Sequence, residues 1–299
     1  MKNNHANQIQ SIDQYIRGIR EYAEKHWTQE RLLKVKDHTG KPYPDRQDIG
    51  NRVRTRWYRG QSRDWSLLPR VYRSLYDERE MMFDCRRKAS MMEHSPSWDD
   101  LPAWLLLMQH HVLPTRLIDW TSSSAVALFF AVYEWEIVTS KSYHPVVWLL
   151  NPNAMNWTGL GCSFLPGTGQ DEAVIDGEKM VFGYGQKNIR SAFGAEERHI
   201  APMAISGRYA HIRMRVQNSR FLVWGSDKRS LNDYFAGTSL FFEGFLKPFY
   251  IDPFCCKRIL IDLKDLGISR STLFPDFKGI AEDLSNEHRQ ESGDVAPEV

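Results

Sequence analysis

The stretch MQHHVLPTRLIDWTSSSAVALFFAVY, Met108 to Tyr133, sets a row of hydrogen-bonding side chains directly before an apolar run. Thr115 to Trp120 predicts a short strand, and Thr121 to Ser124 closes it. Ala125 to Trp135 is apolar nearly all round, as a helix buried between layers must be. The hydroxyls of Thr121, Ser122 and Ser123 stand where a helix start needs side-chain acceptors, so capping accounts for them on local grounds. Upstream, Leu101 to His111 predicts a helix with Pro102 near its start and Pro114 as its stop. Its last turn brings Gln109, His110 and His111 beside the strand. Adjacent histidines point to different faces of a helix and make a poor metal pair.

A second stretch, Trp57-Tyr58-Arg59-Gly60-Gln61-Ser62, belongs with the first. Asn51 to Arg59 alternates as a strand would, with Val53, Thr55, Trp57 and Arg59 on one side and Arg52, Arg54, Arg56 and Tyr58 on the other. The apolar side therefore ends in a guanidinium. Burying it alone costs several kcal/mol, about 3–5 when a buried partner is removed. Either a carboxylate inside the protein or a bound anion must meet Arg59. Gly60 allows another backbone or a ligand to come close.

Around these two segments the chain reads as one α+β unit: a compact mixed β-sheet core with flanking helices. Ile9 to Trp27 carries apolar residues at helical spacing and predicts an amphipathic helix. Asp37 to Asp48 reads as a loop and Glu78 to Glu93 as a helix. Val146 to Leu150 is a central strand, and Asn151 to Gly185 reads as long irregular surface loops. His211 to Val216, Phe221 to Trp224 and Arg258 to Asp262 read as strands, Lys264 to Gly267 as a short helix ended by its glycine, and Ser269 to Lys278 leads into a last helix. The 299 residues carry a net charge of +2, too little for a global field that attracts nucleic acid. No apolar run is long enough to span a bilayer, and the N-terminus lacks the apolar core of a signal peptide. Four cysteines without metal-knuckle spacing fit unpaired thiols in a reducing cytoplasm.

The motif Trp57 to Ser62 with Trp65-Ser66-Leu67-Leu68-Pro69-Arg70 resembles the opening signature of the FRG domain family. Gln109-His110-His111 through Pro114 to Thr121, continued by Ala125 to Ala131, resembles its second signature. Gln217 with Phe221 resembles the third, and Leu273-Phe274-Pro275-Asp276 its C-terminal element. The resemblance implies a single domain over 31–285; the N-terminal helix within residues 1–30 is expected to pack on it, and residues 286–299 read as a disordered tail. The family's layout is in turn similar to ADP-ribosyltransferases of the Arg / Ser-Thr-Ser / Glu class. Arg59 matches the arginine of that class and Thr121-Ser122-Ser123 the hydroxyl triplet. The acidic position falls on Gln217, a departure from the transferase pattern.

That likeness implies NAD as substrate and a macromolecular acceptor, RNA, DNA or protein. Arg59, with Gly60 and Gln61, would take the pyrophosphate, since a guanidinium pairs with phosphate bidentately. Thr121, Ser122 and Ser123 would hold Arg59 or the ribose, and His110 or Trp120 would line a ring pocket. Gln217 can supply a hydrogen bond to the ribose but no charge, so Asp119 or Glu197 becomes a candidate acid. A salt bridge from Asp119 to Arg116 or Arg59 accounts for it more readily than a catalytic role. Bacterial enzymes of this class are often toxins, which implies an antitoxin protein as partner and a part in toxin–antitoxin or phage-defence systems. The alternative is a catalytically silent FRG module that binds a nucleotide or a protein. A hydrolase or nuclease pairing His110 with Asp119 is a third reading.

Overall fold

A computed structural model gives the structure of the protein, and it describes residues 8–45, 47–74, 76–140, 143–163, 165, 173–175, 178–180, 201–206, 211–225 and 227–288. Glu197 and residues 289–299 lie outside the described residues. The expected α+β architecture is present. A six-stranded sheet runs in the spatial order Met203–Ile205 (β6), Ser219–Val223 (β7), Leu117–Thr121 (β2), Trp57–Gln61 (β1), Val146–Leu150 (β3) and Leu246–Tyr250 (β8). Every pairing in it is antiparallel, where a mixed sheet was expected. Ala173–Ile175 (β4) and Glu178–Met180 (β5) form a separate small hairpin.

The helices before β3 are α1 (Ile12–His26), α2 (Gln29–Leu33), α3 (Ile49–Arg54), α4 (Arg70–Arg73), α5 (Glu78–Ala89), α6 (Leu101–His110), α7 (Ser124–Val132) and α8 (Trp135–Ser140). The amphipathic first helix forms as expected, capped by Ser11, and buries Tyr15, Ile19 and Ala23. Helix α7 is the buried helix anticipated from its composition: Val126, Ala127, Leu128, Phe129, Ala131 and Val132 are all inside. It lies against β1 so closely that a Cβ on Gly60 would stand 1.8 Å from the Ala127 carbonyl oxygen. Helices α5 and α6 build a second apolar cluster, in which Met82, Trp104 and Met108 meet Leu117, Phe221 and Val223. Strand β2 thus divides its side chains. Leu117 joins that cluster, while Ile118 and Trp120 join the main core.

Four local expectations are corrected. Residues 51–54 are helical, because Ile49 and Val53, four apart, are the buried pair of α3. The first strand therefore begins only at Trp57. Residues 258–262 lie inside the helix Cys256–Asp265, whose buried residues Cys256, Ile259 and Leu263 follow the helical period despite the β-branched run. His211 caps a helix, Ile212–Val216, so the alternation there does not make a strand. Finally, Asn151 opens a helix, Pro152–Leu160 (α9), buried along most of its length instead of forming surface loops. Its Asn156 amide pairs both ways with the backbone of Ala204, donating to the carbonyl at 2.9 Å and accepting from the N–H at 2.7 Å. That pairing satisfies the backbone of the edge strand β6, which would otherwise need a seventh strand.

Candidate functional site

Strand β1 makes five consecutive pairs with β3, from Trp57↔Leu150 to Gln61↔Val146. With β2 it makes one, Tyr58↔Thr121. The ladder is open where residues 59–61 would face 118–120. The Arg59 side chain spans that opening: its Nη1 donates to the Asp119 carbonyl at 2.5 Å. A guanidinium thus takes a carbonyl that a strand amide would ordinarily satisfy, and the separation of the two strands opens a cleft of about 430 Å³. Arg59, Gly60, Gln61, Asp119, Trp120 and Thr121 line its floor. Gln109 and His110 come from α6, Phe130, Tyr133 and Glu134 from α7 and the turn after it, and Gln217 and Phe274 from the C-terminal part of the chain.

Arg59 is half-buried, and its Nε, itself buried, has no hydrogen-bond partner among the described residues. Burial pushes its pKa below the ordinary value, Asp119 acts to raise it, and Arg73 lowers it further. The group still carries its charge at neutral pH. Asp119 is open to solvent through the cleft, yet the surrounding protein removes enough hydration to push its carboxyl above the usual range. Arg59 and the Gln109 amide pull in the opposite direction, the latter donating to Oδ2 at 2.7 Å. Thr115 donates in turn to the Gln109 carbonyl, which fixes that amide's orientation. Arg116 is not the partner of Asp119. It is buried with Glu78, which accepts from the Arg116 backbone N–H and from Nε, each at 2.7 Å.

The expected hydroxyls divide. Thr121 lines the cleft, but its Oγ1 donates to the Gln217 carbonyl at 2.7 Å and accepts from the Ser123 N–H at 2.9 Å. Ser123 caps α7 by accepting from the Val126 N–H. The Ser122 backbone N–H donates to the Asn218 carbonyl at 3.1 Å, and neither Ser122 nor Ser123 lines the cleft. The triplet therefore ties β2 to the turn after Val216 and starts a helix. Gln217 reaches the cleft, and its amide nitrogen donates to the Leu273 carbonyl at 2.9 Å. Gln61 is buried and accepts from the Trp148 indole at 3.1 Å. The Trp120 indole N–H is buried with no partner among the described residues.

His110 packs against His211 with ring centroids 3.9 Å apart and the rings tilted by 33°. Burial is the main cause that brings its pKa down to about 4. His211, His111 and Arg213 push the same way, and Asp276 opposes them. At neutral pH the ring is uncharged, so one of its nitrogens is an acceptor and the other a donor. Arg213 lines the cleft nearby and pairs with Asp276. Helix α6 ends before Pro114 comes into play. The Val112 N–H donates to the Gln109 carbonyl and the Leu113 N–H to the Met108 carbonyl, with Val112 left-handed at φ 62°. Arg70 holds the Val112 carbonyl at 3.0 Å.

Sequence reasoning missed Glu134 and Ser62. Glu134 follows the apolar helix, where its charge reads as an ordinary exposed end. Ser62 follows a strand as any turn serine does. Only the packing of α7 on Gly60 brings the two together, with Ser62 Oγ donating to Glu134 Oε2 at 2.9 Å.

Residues 54–137 match the family model of the FRG domain. The resemblance read from Trp57 to Ser62 and from Gln109 to Ala131 is thereby borne out over that segment, which holds Arg59, Asp119 and Glu134. Gln217 and Phe274 join the cleft from beyond it. No curated protein and no solved structure matches the chain.

Proposed function

We propose that the cleft binds NAD and that the protein transfers ADP-ribose from it to a macromolecular acceptor, nucleic acid or protein. The observation that carries this reading is the open ladder between β1 and β2. There a guanidinium faces the cleft with Nε unpartnered, while the neighbouring carboxylate is engaged by Gln109. A pyrophosphate would complete that fork with charge-assisted hydrogen bonds of about 1.5–3 kcal/mol each. Phe130, Tyr133, Phe274 and Trp65 give apolar walls suited to planar rings. Asp119 supplies the negative charge that Gln217 lacks, next to the site where positive charge develops on the ribose as nicotinamide leaves. Gln217, His110, Thr121 and the free Trp120 N–H would orient the sugar and the rings. Gly60 and Gln61 shape the floor beneath them.

The test is equilibrium binding of NAD with label transfer to RNA, DNA and protein. Arg59→Ala is expected to weaken NAD binding about 10-fold or more, the loss of about 1.4 kcal/mol, and to abolish transfer while leaving the melting transition cooperative. A wild-type chain that binds no NAD ends this reading. If the protein is the toxin of a toxin–antitoxin or phage-defence pair, its expression slows growth, Arg59→Ala relieves the effect, and a co-expressed antitoxin protein does the same. A second reading is favoured by one contact, the Gln217 amide committed to Leu273: a silent module that binds the nucleotide without cleaving it. NAD binding with no nicotinamide release selects that module.

A further inference from the structure

We infer that Glu134 is a catalytic residue for transfer, the base that takes the proton of the acceptor, and that the acceptor is a neutral nucleophile carrying a proton, a hydroxyl or an amine. This rests on the NAD-cleaving reading of the same cleft. Two carboxylates line the cleft, and they differ in setting. Asp119 lies beside Arg59 on β2, held by Gln109. Glu134 comes from the turn after α7, is exposed, and accepts from Ser62 at one oxygen only, so Oε1 has no hydrogen-bond donor among the described residues. A base must reach both the substrate and the incoming group: Asp119 sits against the guanidinium that would take the pyrophosphate, whereas Glu134 stands at the cleft wall on another element.

Its placement is built into the fold. Gly60 lets α7 touch β1. That contact carries the end of α7 to the end of β1, where Ser62, itself buried, fixes the carboxylate. Phe130 and Tyr133, one helical turn back and one residue back, line the same wall. In the reaction the acceptor oxygen or nitrogen forms a bond to C1′ of the ribose. The C1′–nitrogen bond breaks, and its electron pair leaves on nicotinamide, which departs neutral. The acceptor's proton passes to Glu134 Oε1 and from there to solvent. A carboxylate or thiolate acceptor would need no base, so Glu134 selects for hydroxyl and amine groups. Ser62 is a positioning residue: its hydrogen bond holds the carboxylate in place.

The experiment follows nicotinamide release and label transfer in parallel, with NAD labelled in the adenylate phosphate and total RNA, single-stranded DNA and a protein extract offered separately. In Glu134→Gln, transfer is expected to fall about 10²-fold or more relative to release. In Ser62→Ala, transfer should fall by a smaller factor while release stays at the wild-type rate, and Ser62→Thr, which keeps the hydroxyl, should restore it. Whichever of the three acceptors takes label identifies the source of the nucleophile. Equal losses of release and transfer in Glu134→Gln, or transfer at the wild-type rate, overturn the assignment. So does wild-type release with no label on any acceptor. A wild-type chain that releases no nicotinamide fails at the earlier step and overturns the cleavage reading together with this inference.

Discussion

Asp119 is held in the cleft at a cost to the fold. Burial raises its carboxyl pKa above the unfolded value, so the folded protein binds its proton more readily than the unfolded chain. Stability linked to this group therefore falls as pH rises from the unfolded pKa through the folded one, and the deficit persists at neutral pH. Asp119→Asn removes the deficit and keeps an acceptor for the Gln109 amide. The expected outcome is a raised melting temperature alongside reduced nicotinamide release. Calorimetry near neutral pH, paired with nicotinamide release, checks both. His110 has the opposite sign. Its pKa is lowered from 6.5 to about 4, so its contribution is fully present above 6.5 and is lost as pH falls through about 4. His110→Gln should flatten the fall of the urea midpoint across that window, measured against the same variant's value above pH 7.

At the scale of elements, the contact of β1 with α7 sets the cleft, and Gly60 permits it. Any side chain there overlaps the backbone of Ala127 and Ala131, and backbone cannot rotate away. Gly60→Ala is expected to destabilise by more than about 3 kcal/mol, seen as a lowered denaturant midpoint, and to lose NAD binding with it. A second junction joins α5 to the start of β2 through the buried Glu78–Arg116 pair. Glu78→Ala removes the carboxylate that meets Arg116 at two donors and should lower the denaturant midpoint, since breaking a buried pair costs about 3–5 kcal/mol. The sequence made the helix α7 and the strands β2 and β3 readable because each is a continuous apolar segment with clear ends. It misled where two periods fit the same letters. Val53, Trp57 and Arg59 satisfy alternation, but the chain changes from helix to strand between Arg54 and Trp57, a switch that no single period contains. The run Arg258 to Asp262 has strand-like composition, and only its burial at every third or fourth residue reveals the helix.

Over the whole molecule, the cleft is assembled from distant parts of the chain, and this limited what the sequence could disclose. Arg59, Asp119 and Thr121 announced themselves because charged and hydroxyl groups stand in or beside apolar strands. Their partners did not: that Thr121 is tied to Gln217, or Arg116 to Glu78, depends on contacts between residues 96 and 38 positions apart. The last of these long connections closes the cleft. Phe274 forms part of its wall, and Leu273 beside it is buried in the main core. Gln217 donates to the Leu273 carbonyl, and Arg213 pairs with Asp276. Asp276 also accepts from the Gly279 N–H at 3.0 Å, capping the helix Phe277–Glu287. Its lowered carboxyl pKa reflects that cap first and Arg213 second. Asp276→Asn retains a capping side chain and removes the ion pair; Asp276→Ala removes both. If the ion pair seats the wall, Asn should already weaken NAD binding and speed amide exchange around Phe274, while exchange in the helix Phe277–Glu287 rises only with Ala. Equal exchange in the two variants along that helix, with wild-type NAD affinity in Asn, would assign Asp276 to capping alone and leave the Gln217–Leu273 bond as the tie that holds the wall.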